Sequence, residues 1–414
     1  MKKGNYILFA FLILLTGCYT TGRLAYTNMA ELYSNNTRCL IMQPHVFHTS
    51  DSTTLLQVSV AFNYLQYKKK SENAQPKASY NIMYQLYPSL ESYHLIDSAS
   101  NNNSDSLYYG LAISNKHEFI VKTLLENDYI LKITLTDYNS KQSYTYIQNI
   151  NRSQKANRLY FSLLDENKNY LPGNYVYPNK KIYLKTLLPA TMLFVKVYKR
   201  NFPIAQPPFS ESLIKPFDYH PDSTFTISVI NGEADLISIS ENSFYHFQTD
   251  TMTSEGYSVF SYRKAFPEVE SVEDMIPSTR YITTKNEFDE MIQSKDKKNA
   301  IDKFWLGIAG TPERAQKLIR NYYNRVQEAN RYFTSYTEGW KTDRGMIYIV
   351  FGPPTIVYLG SDGEKWIYGT DKNSLSISYN FTKVINPFCD NDFRLERNAS
   401  LKYYWYQGVD SWRQ

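Results

Sequence analysis

Residues 311–354 read TPERAQKLIRNYYNRVQEANRYFTSYTEGWKTDRGMIYIVFGPP, and they decide the architecture of the last third of the chain. Thr311-Pro312 supplies an N-cap hydroxyl and a proline for the first helical turn. Ala315, Leu318, Ile319, Tyr322, Val326, Ala329 and Phe333 then share one stripe of a helix, opposite Glu313, Lys317, Arg320, Asn324, Glu328 and Arg331. Such a stripe needs an apolar surface to cover. The pattern predicts an antiparallel sheet from residues 347–351, 356–359, 366–368 and 402–406, with Gly352-Pro353-Pro354 ending its first strand and Ser361-Asp362-Gly363 turning a hairpin. Gly339 stands where the helix ends and reads as a left-handed cap, and Trp340 packs under the helix. Thr342 and Asp343 are suited to hydrogen-bond backbone amides in a tight connection that passes through Gly345. Upstream, Thr284 with Glu287 forms a capping-box signature, and residues 296–308 read as a further helix. Residues 266–414 are therefore expected to form an α+β domain of helices on an antiparallel sheet.

The pattern ahead of this domain has period two. Leu56, Val58, Val60, Phe62 and Tyr64 alternate with polar or small residues, as do Tyr129, Leu131, Ile133 and Leu135. Lys68-Lys69-Lys70 and Ser100-Asn101-Asn102-Asn103 read as turns between antiparallel strands, so residues 38–153 are expected to form an immunoglobulin-like β-sandwich. Candidate strands at 182–185, 192–198, 225–229, 236–240 and 257–262 place a second sandwich in residues 154–265, interrupted by a proline-rich crossing from 201 to 223. The expected fold class is thus mainly β, two sandwich modules followed by an α+β domain.

The amino terminus reads as an address. Lys2 and Lys3 precede a short apolar run that ends in Leu15-Thr16-Gly17-Cys18, too short to span a bilayer and suited to a signal peptide over residues 1–17. The ending resembles the bacterial lipobox, which implies acylation of Cys18, a tether over residues 18–37 and attachment to the membrane through the N-terminal lipid. No acidic residue follows at 19–22, so the resemblance favours the periplasmic face of the outer membrane over the inner membrane or the cell surface. Cys39 and Cys389 would then share an oxidising compartment, where either a disulfide or two separate thiols is chemically open.

Gly339-Trp340-Lys341-Thr342-Asp343-Arg344-Gly345, Gly352-Pro353-Pro354 and the later Trp366-Ile367-Tyr368 together resemble the GWxTD-domain family over roughly the last third of the chain. That resemblance implies an exported, often lipid-anchored protein with β-rich regions ahead of the domain, and no established activity. The Gly-Pro-Pro turn followed by Trp-x-Tyr is also similar to a small lipoprotein of the outer-membrane β-barrel assembly machine, which supports an interaction role. The motif residues each have a structural reading, with Asp343 and Arg344 as an ion pair or loop brace weighed against a catalytic pair.

Composition and motifs exclude other classes. The 45 basic and 40 acidic residues leave a net charge of +5 without a single-sign field, so no nucleic acid is expected as a partner. His45 and His48 are the one close histidine pair among six, spaced for opposite faces of a strand, and no metal site is expected. Phosphate loops, dinucleotide fingerprints and nucleophile elbows are lacking, so no catalytic residue and no cofactor is assigned. Tyr403, Tyr404, Trp405 and Tyr406 form a candidate aromatic contact face, two rings inward and two outward if the segment is a strand. Asp97-Ser98-Ala99, Asp105-Ser106-Leu107 and Asp250-Thr251-Met252 resemble O-glycosylation acceptors suited to loops. The leading expectation is a non-enzymatic envelope lipoprotein that binds another envelope protein or acts as a scaffold. The alternative is a protein that binds or cleaves peptidoglycan or another envelope glycan.

Overall fold

Alternation of apolar and polar residues becomes alternation of buried and exposed ones in the first region of the computed structural model, which describes residues 24–34, 37–106, 114–171, 173–212, 216–369 and 376–414. Two short helices, α1 (Glu31–Ser34) and α2 (Thr37–Ile41), precede strands β1 (Met42–His48), β2 (Thr53–Ala61), β3 (Lys77–Tyr87), β4 (Asp97–Ser106), β5 (Ser114–Lys122), β6 (Asp128–Asp137) and β7 (Gln142–Asn151). They form a three-stranded sheet, β1-β2-β5, and a four-stranded sheet, β4-β3-β6-β7, all antiparallel. Leu56, Val58 and Val60 from the first sheet share a core with Ile82, Leu86, Leu131, Ile133 and Leu135 from the second. Arg152 is 1 % exposed and donates to Ser50 O, Thr53 O and the hydroxyls of Thr54 and Thr123, so its charge is spread over neutral oxygens between the sheets. Asn101, Asn102 and Asn103, expected in a turn, lie within β4, an edge strand whose polar side chains keep its outer face in water. The first two glycosylation-like triplets fall in that strand as well, except Leu107, which lies outside the described residues.

Strands β8 (Phe161–Leu164), β9 (Lys181–Thr186), β10 (Met192–Tyr198), β11 (Ser223–Ile230), β12 (Glu233–Ala234), β13 (Ile237–Ser238), β14 (Ser243–Gln248) and β15 (Tyr257–Ser261) build one eight-stranded sheet where a second pair of facing sheets was expected. A parallel bridge between Tyr175 and Phe260 draws the segment after β8 beside β15, so the sheet curls toward closure around Leu163, Leu184, Val195, Phe247 and Val259.

The C-terminal region carries α3 (Val272–Ser278), α4 (Lys285–Gln293), α5 (Lys297–Ala309), α6 (Pro312–Phe333), α7 (Asp343–Phe351), strands β16 (Ile356–Gly360), β17 (Gly363–Tyr368), β18 (Ile377–Lys383) and β19 (Phe393–Leu395), and α8 (Leu401–Arg413). The capping box at Thr284 forms in both directions, and Thr311 caps α6 with Pro312 in its first turn. Two expected strands are helices instead. Residues 347–351 belong to α7, whose residues 343–350 are all buried, so no polar face betrays the helical period. Residues 402–406 belong to α8, in which Trp405, Val409 and Trp412 share the buried stripe. The sheet is completed by β18 and β19 in place of those two segments, in the order β16-β17-β18-β19.

Two distant segments are built into this region. Residues 28–33, expected in a tether, are core instead: Met29 donates its N–H to Val357 O at 2.8 Å, Asn28 Oδ1 accepts from Val357 N, and Met29, Leu32 and Tyr33 are buried. The proline-rich crossing also leans on it, with Ile204, Ala205 and Phe209 against the same core and Ala205 N bonded to Lys341 O. Among the described residues no helix is long and apolar enough to cross a membrane.

Candidate functional site

The GWKTDRG segment connects α6 to α7 through a single 3-10 turn, Gly339–Lys341. Gly339 is needed for close approach, not for a left-handed cap: a Cβ there would stand 2.0 Å from Ala329 O. Gly345 meets the same constraint one turn on, with a Cβ position 1.9 Å from Gly339 O. Trp340 is 3 % exposed. Its N–H donates to Asn330 Oδ1 at 3.1 Å, and its carbonyl accepts the Tyr281 hydroxyl at 2.9 Å. Thr342 caps α7, its hydroxyl accepting from Gly345 N and donating to Gly339 O at 2.8 Å.

The two charged motif residues face inward. Asp343 accepts from Leu395 N at 2.8 Å and from both terminal nitrogens of Arg397, at 3.0 and 2.6 Å. Arg344, 2 % exposed, donates to Glu364 Oε1 at 2.8 Å and to Asn391, with its guanidinium 3.8 Å from the Phe393 ring centre. Glu364 also accepts from the Tyr33 hydroxyl at 2.9 Å and from Trp366 Nε1 at 2.8 Å. Trp366 is fully buried, and Tyr368 donates its hydroxyl to Gly352 O at 2.8 Å. Gly352 has φ +82° and ends α7, with Arg325 packed where a side chain would stand; Pro353 is exposed and Pro354 buried. Gly-Pro-Pro therefore follows a helix rather than a strand, which removes the basis for the likeness to the barrel-assembly lipoprotein.

Beside the buried motif lies a groove of about 610 Å³ between α6, the end of α7 and α8. Of its lining residues, sequence reasoning placed Asn324 and Glu328 on the polar side of α6 and Leu318 on its apolar stripe, and did not single out Arg325. Arg325 reaches across to the last carbonyls of α7, Ile349 O and Val350 O, both at 3.1 Å, and its guanidinium sits 4.7 Å from the Trp412 ring. Glu328 lies in the same wall, its carboxyl pushed above the usual range by burial. The Tyr348 hydroxyl stands 2.8 Å from Glu328 Oε2 and 3.0 Å from Tyr33 O, donating to one at a time. Asn321 and Asn324 stand exposed on the rim. The groove thus offers donors, acceptors and aromatic edges.

The expected aromatic face divides on α8. Tyr403 and Tyr406 are 66 % and 49 % exposed on one side, Trp405 is in the core, and Tyr404 is half-buried. Two rings out of four still face water, but the spacing that pairs them is helical. His45 and His48 are both buried: His48 bonds Thr54 and Asn151 O, and His45 packs on Phe47 and Tyr170. No cluster of metal-ligating side chains occurs among the described residues. Cys39 and Cys389 are not joined, the latter deep in the C-terminal region with its thiol pushed up to about 12 by burial. Cys18 and the signal-peptide residues 1–17 lie outside the described residues.

Fold and site together define a mainly β chain that ends in a helical-plus-sheet domain organised around a buried Trp-Thr-Asp-Arg turn. A family model for the GWxTD domain matches residues 243–414, so the GWxTD domain is shown for that part of the chain. The matched span begins at Ser243 and so takes in β14 and β15. No curated protein matches the chain. Among solved structures, that of red sea bream transglutaminase is similar at 12 % identity with a TM-score of 0.20, over 54 % of this chain and 32 % of that one. The chain thus spans about a third of that protein's length, a likeness too slight to bear on fold or function.

Proposed function

We propose that this protein is a lipoprotein of the outer membrane, attached at its periplasmic face by acyl chains on Cys18, that works without catalysis as a protein-interaction or scaffold module of the cell envelope. The observation that carries this reading is the fate of the motif charges. Asp343 and Arg344 are spent on internal partners, Arg397 and Glu364, and both ion pairs are under about a tenth exposed. The signature therefore builds the domain, and the chemistry left facing solvent is the groove walled by Arg325, Glu328 and Tyr348. Hydrogen-bond groups of both kinds beside aromatic edges suit a segment of partner polypeptide. The first β region, read as an immunoglobulin-like module, and the curled sheet after it would add further surface for envelope partners. No cofactor is needed.

The test is crosslinking in cells from a photoreactive residue at Asn324, with Tyr403→Ala, Tyr406→Ala as a paired variant of equal abundance. A discrete protein adduct, weakened in the variant, is the expected result. Adducts to wall fragments alone would replace this reading by the glycan-binding one, and no adduct at all would overturn both.

A further inference from the structure

We infer that the end of the molecule where residues 24–29 emerge rests on the lipid bilayer itself, so that the GWxTD domain lies next to the membrane rather than at the far end of the β modules. The inference rests on the lipoprotein reading above. Its first ground is chain length. Cys18 and Leu24 are six residues apart, which at full extension reach about 20 Å. A folded chain of 414 residues has a radius of gyration near 22 Å, so the connection is shorter than the molecule is wide.

The second ground is that residues 24–33 are fixed to the body at several points. Ala25 N bonds Leu90 O at 3.1 Å, in the loop after β3. Asn28 bonds both Thr355 O and Val357 N, flanking the start of β16. Tyr33 ends inside the Arg344–Glu364 cluster. An acyl anchor on Cys18 therefore acts on the C-terminal domain and on the β3–β4 loop together.

The third ground is what surrounds that point. Leu24 shares a shallow cleft with Tyr87 and Tyr93, and the neighbouring surface carries Tyr26 at 70 %, Tyr93 at 45 %, Leu95 at 42 % and Ile96 at 41 % exposure. Exposed tyrosine and aliphatic side chains close to where the chain emerges suit the headgroup boundary of a bilayer, where ring and hydroxyl are both solvated.

The test uses the full-length, acylated protein in vesicles of phosphatidylethanolamine and phosphatidylglycerol. An environment-sensitive fluorophore is placed on Tyr93→Cys or on Leu95→Cys, and on Met252→Cys in the β14–β15 turn, each in a Cys39→Ala background. Two sites on the face guard against one of them misfolding. Phospholipid brominated in its acyl chains is expected to quench the labels at 93 and 95 at least twofold and to leave the label at 252 unchanged. Twenty Gly/Ser residues inserted after Thr21 should abolish that quenching while the protein still floats with the vesicles. Flotation with 93 and 95 unquenched, or with 252 quenched equally, overturns the membrane-proximal arrangement and leaves the lipoprotein reading standing. Failure to float, or flotation that survives Cys18→Ser, overturns the lipoprotein reading and this inference with it.

Discussion

The first β region and the C-terminal domain build their cores from different chemistry. Between β1 and β7 the core is largely aliphatic, and each strand's backbone is satisfied by a neighbour in the same sheet. From α3 to α8 the core is aromatic: Trp305, Tyr322, Trp340, Tyr348, Trp366 and Tyr379 all sit in one cluster. An aliphatic core asks for nothing beyond shape, whereas buried indoles and phenols carry polar tips that need partners. Tyr322 finds Ser278 O at 2.6 Å, Trp412 finds Val350 O at 3.1 Å, and Trp366 finds Glu364, which in turn needs Arg344. Partners of this kind come from far along the chain, so the domain draws in residues 28–33 and the 204–209 crossing to close itself. The composition of the whole chain carries the same division. All six histidines lie at or before residue 246, and all five tryptophans at or after residue 305. Tryptophan fluorescence therefore reports on the C-terminal domain alone, while far-UV circular dichroism also sees the sheets before it.

The largest effect should come from Arg344. Arg344→Met leaves the Glu364 carboxylate buried, 7 % exposed at its side chain, with only neutral donors. Removing one partner of a buried pair costs about 3–5 kcal/mol. The urea transition followed by tryptophan fluorescence should shift by that amount, and adding Glu364→Gln should recover part of it, because the uncompensated charge is what destabilises. A loss under about 1 kcal/mol would mean that water reaches the pair and that the motif is not sealed.

Mild acid should separate the two regions next. Burial lowers His45 and His48, both in the first β region, from 6.5 to about 4. Between those values the unfolded chain binds a proton that the native state refuses, so stability present above pH 6.5 is lost as pH falls toward 4. At pH 5 the loss is on the order of 2 kcal/mol per histidine. Asp392 runs the other way, raised by burial from 3.8 to about 6, so the native C-terminal domain takes up its proton first and gains as pH falls through 6. Between pH 7 and 5 the dichroism midpoint should fall clearly further than the fluorescence midpoint. Equal shifts would mean that the two regions unfold as one unit.

What the sequence made legible follows the same division. Elements with one wet face announced themselves: α6 by its stripe and Thr311 cap, α4 by its capping box, and β6 by alternation. Helix α7 did not, because Met346, Ile347, Tyr348, Ile349 and Val350 are all buried and their β-branched content argues for a strand. Asp343 behind a Thr342 cap was the available helix-start signal. Helix α8 carried its own signal too, apolar residues at 401, 405, 409 and 412, hidden among strand-favouring tyrosines. Of the site, the bracing roles of Thr342 and Asp343 were readable from residue type. Their partners were not, since Arg397 lies 54 residues from Asp343 and Tyr33 lies 331 from Glu364. Nothing local to Met29, Leu32 or Tyr33 separates a tether from a core segment.

Tyr33→Phe tests that last point with a smaller effect. It deletes one donor to the buried Glu364 carboxylate and keeps the ring against Phe333 and Trp366, 5.1 Å from each. A lost hydrogen bond to a charged group costs about 1.5–3 kcal/mol, whereas a substitution in a solvated tether stays within about 0.5 kcal/mol. The shift should appear in the fluorescence transition, and its absence would return residues 24–34 to the role of a linker.

The smallest effect on stability belongs to the exposed pair on α8. Tyr403→Ser with Tyr406→Ser removes rings that are already half or more in water, so the fluorescence midpoint should move by no more than about 0.5 kcal/mol. Tyr406 sets the upper bound, because its ring lies 5.7 Å from Phe209 in the crossing segment. A larger loss would show that α8 holds that segment in place through this contact. With stability unchanged, any weakening of the adduct formed from Asn324 in cells would have to come from the surface itself, extending the contact region from the groove across α8. An adduct of undiminished yield would confine the contact to the groove walls, where Arg325 and Glu328 are also structural and Asn321 and Asn324 can be varied without touching the core.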